Sequence, residues 1–283
     1  MELNNFMIKP VVERALYEDI GNLDITTTAC IPVDMRAKAV IRVKEDGILA
    51  GMPVVKLVYQ LLDPKITVKI LQGEGNEVKA GTTVAEVVGP ARAILTGERV
   101  ALNFIQRLSG IATKTKKMVD MLQFYDCHIT DTRKTTPGLR DLQKYAIRVG
   151  GGVNHRFSLA DNLLIKDNHI KICGGIKTAV AKARRSVGHT VKIEVEATTL
   201  QQVQDALESA ADIILLDNME LNEIKEAVSL IANKAIIEAS GNITEDMVVD
   251  VARTGVQYIA LGSLTHSYES LDISLDIAYG DEE

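Results

Sequence analysis

Arg133 and Lys134 sit side by side in the stretch TDTRKTTPGLR, Thr130–Arg140. They follow a short apolar-edged run, Cys127–Ile129, and precede a segment with helical character. A strand that ends in clustered cations is either a solvated loop or a grip for something anionic. Further cations stand in similar places. His155 and Arg156 follow three glycines in GGGVNHR, and Lys166 ends the apolar run of LIKDNH. Acidic groups end two other runs, Glu196 in IEVE and Asp217 in ILLDN. Arg forks fit carboxylates bidentately, and several cations left unpaired in one closed site would repel each other. If these ends converge, an anionic ligand is expected. Carboxylates opposite it suit a divalent cation or sugar hydroxyls.

Convergence depends on the elements that carry these residues. From about residue 125, short apolar runs alternate with helical stretches. The expected strands are 128–132, 162–166, 191–196, 212–217, 235–240 and 257–262, the last four spaced about 22 residues apart. That spacing holds one strand, one helix and two short loops. Such alternation gives parallel strands with right-handed crossovers, and six or seven units suggest a barrel or a large part of one. An open doubly wound sheet is the alternative. Either topology gathers the C-terminal ends of the strands on one face, where such folds bind ligands. Alternation along 191–196 puts Lys192, Glu194 and Glu196 on one face and Ile193 and Val195 on the other. Helices cover the apolar face, so the charged one points inward, where charge must be paired, hydrated or used. Asp217 shares its face with Ile213 and Leu215. Blander readings hold elsewhere. Asp167 and Asn218 suit helix caps, Gly150–Gly152 suit a helix end, and Ser240-Gly241-Asn242 fits a simple turn as well as a ligand loop.

The N-terminal part has another texture. Residues 8–20 read as a helix with Pro10 in its first turn. Residues 36–90 carry short Val/Ile runs punctuated by glycine, the mark of strands and turns. Residues 91–122 read as helical, with Ser109-Gly110 as a break.

In this order, TDTRKTTPGLR, GGGVNHR, LIKDNH, IEVE, ILLDN, ASGN and ALGSLTHS resemble the quinolinate phosphoribosyltransferase family, as does the earlier GERVALNFIQRLSGIAT. The resemblance covers nearly the whole chain. It implies an N-terminal α/β sandwich domain, hammerhead-like, over 1–110, and an incomplete parallel α/β barrel over 111–269, with the tail 270–283 packing on the first. It implies transfer of phosphoribose from phosphoribosyl pyrophosphate to quinolinate, with loss of CO₂ and pyrophosphate, giving nicotinate mononucleotide for NAD biosynthesis. Arg133, Lys134, His155, Arg156 and Lys166 then hold the quinolinate carboxylates, with Thr132 on the substrate side. Glu196 and Asp217 serve the ribose hydroxyls and Mg²⁺, and these two with Lys134 are the catalytic candidates. Ser240-Gly241-Asn242 and Leu261-Gly262-Ser263 become phosphate loops. The resemblance also implies a homodimer, with further assembly open, in which Arg99 of GERV enters the other subunit's site. By spacing alone Arg99 is a surface charge on a helix.

Composition narrows the alternatives. The net charge of −6 gives a nucleic-acid partner no support. Cys30, Cys127 and Cys173 are far apart and form no CxxC, against a zinc site or disulfide framework. The opening MELNNFMIKP has no signal-peptide pattern, and no apolar run approaches the ~20 residues of a membrane span. A cytoplasmic protein is expected. Phosphoribosyltransferases of the Rossmann-like class carry two adjacent acids and a Thr-Gly loop, whereas IILLDN has one acid. A related barrel enzyme acting on nicotinate needs fewer cations. LQGEGNEVKAGTTVAEVVGP resembles biotinyl and lipoyl carriers but lacks their exposed lysine setting, so it reads as scaffold.

Overall fold

A computed structural model describes residues 3–278. Residues 1–2 and 279–283, the latter belonging to the expected tail 270–283, lie outside the described residues. The chain packs as two units. The first takes residues up to Lys116, Thr135–Gly151 and residues from Thr265 on; the second takes Lys117–Lys134 and Gly152–Leu264.

The first unit opens with α1 (Asn5–Ile20), which begins earlier than expected because the Asn4 side chain accepts the Phe6 N–H as N-cap. Pro10 therefore lies inside the helix. Ile8, Val12 and Leu16, each four residues on, form its buried stripe. The short α2 (Ile25–Cys30) is capped by Asp24. Strands β1 (Arg36–Val43) and β2 (Gly47–Ile48) follow. Then comes α3 (Met52–Leu62), inside the region expected to be strand-like. MPVVKLVYQLL carries three valines, but Pro53 in its first turn suits a helix start, its Met, Leu, Lys and Gln favour helix, and Met52, Val54, Val55, Leu57, Val58 and Tyr59 are buried. β3 (Thr67–Ile70), β4 (Glu77–Val78) and β5 (Thr83–Pro90) complete the set before α4 (Ala91–Met121).

No break interrupts α4 at Ser109-Gly110. Ser109 Oγ exchanges hydrogen bonds with the Ala50 backbone, and a Cβ at Gly110 would run into the Glu269 carbonyl. That glycine permits close backbone approach. The main sheet of this unit is antiparallel in the order β12-β1-β5-β3, where β12 (Ile273–Ala278) is the last strand, and β2 pairs with β4. α5 (Arg140–Val149) packs in this unit and ends at the cap Gly150. The glycine triplet is thus a helix end.

In the second unit β6 (His128–Thr130) is followed by five strand–helix steps. These are β7 (Leu163–Ile165) with α6 (Asp167–Cys173) and α7 (Ile176–Ser186), β8 (Ile193–Ala197) with α8 (Leu200–Glu208), β9 (Ile213–Asp217) with α9 (Leu221–Ile231), β10 (Ile236–Ser240) with α10 (Val248–Ala252), and β11 (Tyr258–Ala260) with α11 (Ser263–His266), whose residues from Thr265 on belong to the first unit. All six strands are parallel, in the order β6-β11-β10-β9-β8-β7. Val153 extends this order by bridging to Thr130. The outward residues Ile193, Val195, Ile214, Leu216, Ile237, Ala239 and Ile259 are buried. Inward residues from opposite sides meet: His155, just past the Val153 bridge, reaches Glu194 on β8 and Glu238 on β10. The sheet therefore curls into a barrel. Among the described residues, no ladder joins the Val153 segment to β7, so the barrel is incomplete.

Candidate active site

Strand register sets the levels of the barrel interior. Asp217, Ser240, Ala260 and Thr130 are neighbours at the C-terminal ends of β9, β10, β11 and β6. One step lower lie Glu196, Leu215, Glu238 and Tyr258. A cavity of about 340 Å³ opens over these levels, within the range of small-molecule sites. Arg133, Lys134, Arg156 and Lys166 line it together, with His155 and Thr132. The same cavity takes Glu196, Asp217 and Ser240.

The cationic side is only partly satisfied by the protein. Arg133 Nε is buried with no hydrogen-bond partner. Arg156 donates Nη1–H to the Asn162 carbonyl at 2.9 Å. Burial, and then the charge of Arg133, press the Arg156 pKa below its ordinary value. Two guanidinium groups that disfavour each other, one with an orphaned donor, suit a carboxylate or phosphate between them. Lys166 differs, because its Nζ donates to Glu196 Oε2 at 2.6 Å. The cationic and acidic sides therefore touch at this pair.

Asp131 organises the base of the cationic wall. It is fully buried and accepts from the His155 backbone N–H at 3.0 Å and from Asn154 Nδ2 at 2.6 Å. His155 Nδ1 accepts the Arg156 backbone N–H at 2.8 Å. With Nδ1 an acceptor, the ring proton sits on Nε2 and is donated to Glu194 Oε1 at 3.2 Å. Glu194 also accepts from Asn162 Nδ2 at 3.1 Å. Both His155 nitrogens are thus engaged within the protein.

On the acidic side, Asp217 accepts from Asn218 Nδ2, and Asn218 Oδ1 accepts from Asn242 Nδ2, each at 2.9 Å. Asn218 does not cap a helix: α9 begins after Glu220, and Asn218 adopts a left-handed φ of 54°. Instead it ties Asp217 to the turn after β10. Gly241 in that turn has φ 93°, and a Cβ there would collide with Asn218. Gly241 and Asn242 stand behind Ser240 and are not among the residues lining the cavity. Nor are Leu261, Gly262 and Ser263, although Ala260 is; Leu261 is buried and donates its N–H to the Thr130 carbonyl. Asp167 lies exposed in the first turn of α6, paired with Lys171. Arg99 is exposed on α4 in the first unit and does not line the cavity.

Sequence reasoning missed Glu238. It faces inward from β10, is 5% exposed, and its Oε1 has no hydrogen-bond partner. Burial, then the neighbouring Glu194 charge, push its pKa up to about 8. Its signal was a lone carboxylate in the middle of an apolar parallel strand, IIEAS. His155, Glu194 and Glu238 lie close enough together to suggest a metal site. The His155 tautomer opposes this, since the Nε2 lone pair is taken by the proton that Nδ1 cannot carry.

Among the described residues, no helix is long and apolar enough to cross a membrane. Comparison with known proteins covers the whole fold. The family model for the quinolinate phosphoribosyl transferase N-terminal domain matches residues 24–109, and that for the C-terminal domain matches residues 111–276. A Bacillus subtilis (strain 168) protein named a probable nicotinate-nucleotide pyrophosphorylase (carboxylating) is 44% identical over 280 residues, covering 99% of this chain and 96% of that protein. Quinolinate phosphoribosyltransferase (decarboxylating) 2a of Nicotiana tabacum is 43% identical over 293 residues, 95% of this chain and 82% of that protein. The crystal structure of NadC from Streptococcus pyogenes superposes with a TM-score of 0.94 at 41% identity, covering 99% of this chain and 100% of that one. The chain belongs to the quinolinate phosphoribosyltransferase family.

Proposed function

We propose that this chain transfers phosphoribose from phosphoribosyl pyrophosphate to quinolinate and releases CO₂, forming nicotinate mononucleotide in NAD biosynthesis. One observation carries the reading: a single barrel cavity holds Arg133, Lys134, Arg156 and Lys166 on one side and Glu196 and Asp217 on the other. Quinolinate has two adjacent carboxylates. Arg133 and Arg156 grip them, and the buried unpaired Nε of Arg133 supplies a waiting donor. Lys134 and Lys166 complete the cationic wall. His155 shapes it, its ring held by Glu194 and the Arg156 N–H.

The pyridine nitrogen attacks the anomeric carbon as pyrophosphate leaves, and positive charge grows on the ribose. Glu196 and Asp217 sit where their charge stabilises that state. Holding both reactants in one cavity supplies much of the remaining rate. Two carboxylates on adjacent strands are hard oxygen donors, a set that fits Mg²⁺ bound through one or two carboxylates plus substrate oxygens. Bound Mg²⁺ would neutralise the pyrophosphate oxygens. Ser240, on the cavity wall, reaches the donor phosphate, and the turns at Gly241-Asn242 and Leu261–Ser263 support that end from behind. The working unit is a homodimer in which Arg99 of one copy completes the quinolinate pocket of the other.

The test is product formation with phosphoribosyl pyrophosphate and Mg²⁺, comparing quinolinate with nicotinate. Quinolinate should be used and nicotinate nearly refused. Equal use of both overturns the dianion pocket.

A further inference from the structure

Loss of CO₂ from the glycosylated ring leaves a requirement that the cations do not meet. The bond from the ring carbon to the carboxylate breaks, its electron pair stays on that carbon, and the carbon must gain one proton to give nicotinate mononucleotide. A donor is needed that is uncharged while the dianion binds.

We propose that Glu238 is this proton donor, and that it is reloaded from a second chamber on the other side of it. The proposal rests on the quinolinate reading above. Glu238 lines the substrate cavity and also a second cavity of about 280 Å³ toward the N-terminal ends of the strands, bounded by Lys192, Asn154 and Tyr258 among others. His155 and Arg156 are the other side chains shared by both. The Glu238 carboxyl is thus a partition between two spaces. It is nine-tenths or more buried and Oε1 has no partner; His155 Nε2 is 3.6 Å away and donates to Glu194 instead. Nothing in the protein uses the Glu238 proton.

The surroundings of the two glutamates differ. Glu194 takes two donors, His155 Nε2–H and Asn162 Nδ2–H. Glu238 receives no donor and keeps its proton, its pKa raised to about 8 by burial and by Glu194. Asp131 adds to the rise, while His155 and Lys166 act against it. Arg156 is the other charge on the partition, and Leu215 and Tyr258 are the register neighbours on β9 and β11. Lys166 is a weaker candidate, being committed to Glu196. When Glu238 gives its proton to the ring carbon it becomes a buried carboxylate. Water in the second chamber restores the proton without passing the bound product.

Glu238→Gln keeps the shape and removes the acid. Turnover of quinolinate and its Kd by calorimetry are measured for both proteins across pH. The expected result is a kcat at least about 100-fold lower in the variant, with Kd within about threefold. Wild-type kcat should fall as pH rises above about 8, since the bound dianion holds the Glu238 proton more tightly than the ligand-free site does. A variant kcat close to wild type overturns the proposal. So does a Kd that rises as much as kcat falls, which marks a binding role. Should the variant not fold, the wild-type profile decides alone, and a kcat flat from about pH 6 to 10 refutes the donor. A wild type that makes no product from quinolinate at any pH sinks the functional reading itself.

Discussion

Arg133→Met separates an arginine that holds a ligand from one that holds the fold. Methionine retains the aliphatic stem and loses the charged fork. In the ligand-free protein, Arg133 keeps an orphaned buried Nε and presses on Arg156. Its removal relieves a repulsion, so the ligand-free variant should melt at or above the wild-type temperature. The cost appears only with ligand. A charged hydrogen bond is worth about 1.5–3 kcal/mol, which weakens quinolinate binding about 10–150-fold. At a quinolinate concentration of about 100 times the wild-type Kd, the wild type gains about 2.7 kcal/mol from the ligand. The variant at the same concentration gains only about 0.3–1.4 kcal/mol. Each kcal/mol moves the melting temperature by roughly 2–4 °C in a protein of this size, so the ligand-induced rise should shrink by about half or more. Thermal melts with and without quinolinate, backed by calorimetry, read both quantities. A variant that melts several degrees lower without ligand, yet binds quinolinate as before, would refute the reasoning and make Arg133 a structural residue.

Three further outcomes follow from the same geometry. Glu196→Ala and Asp217→Ala should each abolish Mg²⁺-dependent binding of phosphoribosyl pyrophosphate and leave the quinolinate Kd within a few fold; calorimetry showing the reverse pattern reassigns the acidic wall. Glu238 binds a proton up to about pH 8 in the folded state but only to its ordinary value of 4.5 when unfolded, so it makes stability fall as pH rises between these values. Urea unfolding at pH 5, 6.5 and 8 should show that decline flattened in Glu238→Gln, and an unchanged slope counts against a raised pKa. Mixing inactive Arg99→Ala with inactive Glu196→Ala under subunit exchange should restore about a quarter of the sites, since half the dimers are mixed and one site in each is intact; flat activity after proven exchange removes Arg99 from the partner's site.

The barrel was legible because its strands are short, apolar and evenly spaced. Each of the six expected strands overlaps an observed one, from His128–Thr130 to Tyr258–Ala260. The inward charge of β8 was readable from alternation alone, since Ile193 and Val195 had to face the helices. Other features depend on contacts distant in sequence. Gly110 looks like a helix breaker until Glu269 is seen packed against it. Asn218 looks like a cap until Asn242, from the next strand, takes its side-chain oxygen. α3 lies in a stretch otherwise made of short Val/Ile runs and glycines, where its three valines hid a helix that Pro53, Met, Leu, Lys and Gln support. Glu238 sat inside a strand that otherwise signalled only burial. Its environment is made by Glu194 and His155, from segments far away in the chain.

That environment also bears on selectivity. Four cations line the substrate cavity, Arg133, Lys134, Arg156 and Lys166, against the carboxylates of Glu196 and Asp217. If Glu238 keeps its proton, the wall carries two net positive charges, which a dianion matches. If Glu238 were ionised, the wall would carry one, and a monoanion would match as well as a dianion mismatches. The choice between quinolinate and nicotinate is then set by burial of an acid as much as by the number of cations. Burial raises the energy of the charged form of Glu238, and the Glu194 charge raises it further. In the proposed pose, a second carboxylate held by Arg133 and Arg156 would add negative charge above Glu238 and favour its protonated form again. Ligand and proton would then bind cooperatively: the dianion would secure the neutral acid, and the neutral acid would leave the charge that selects the dianion.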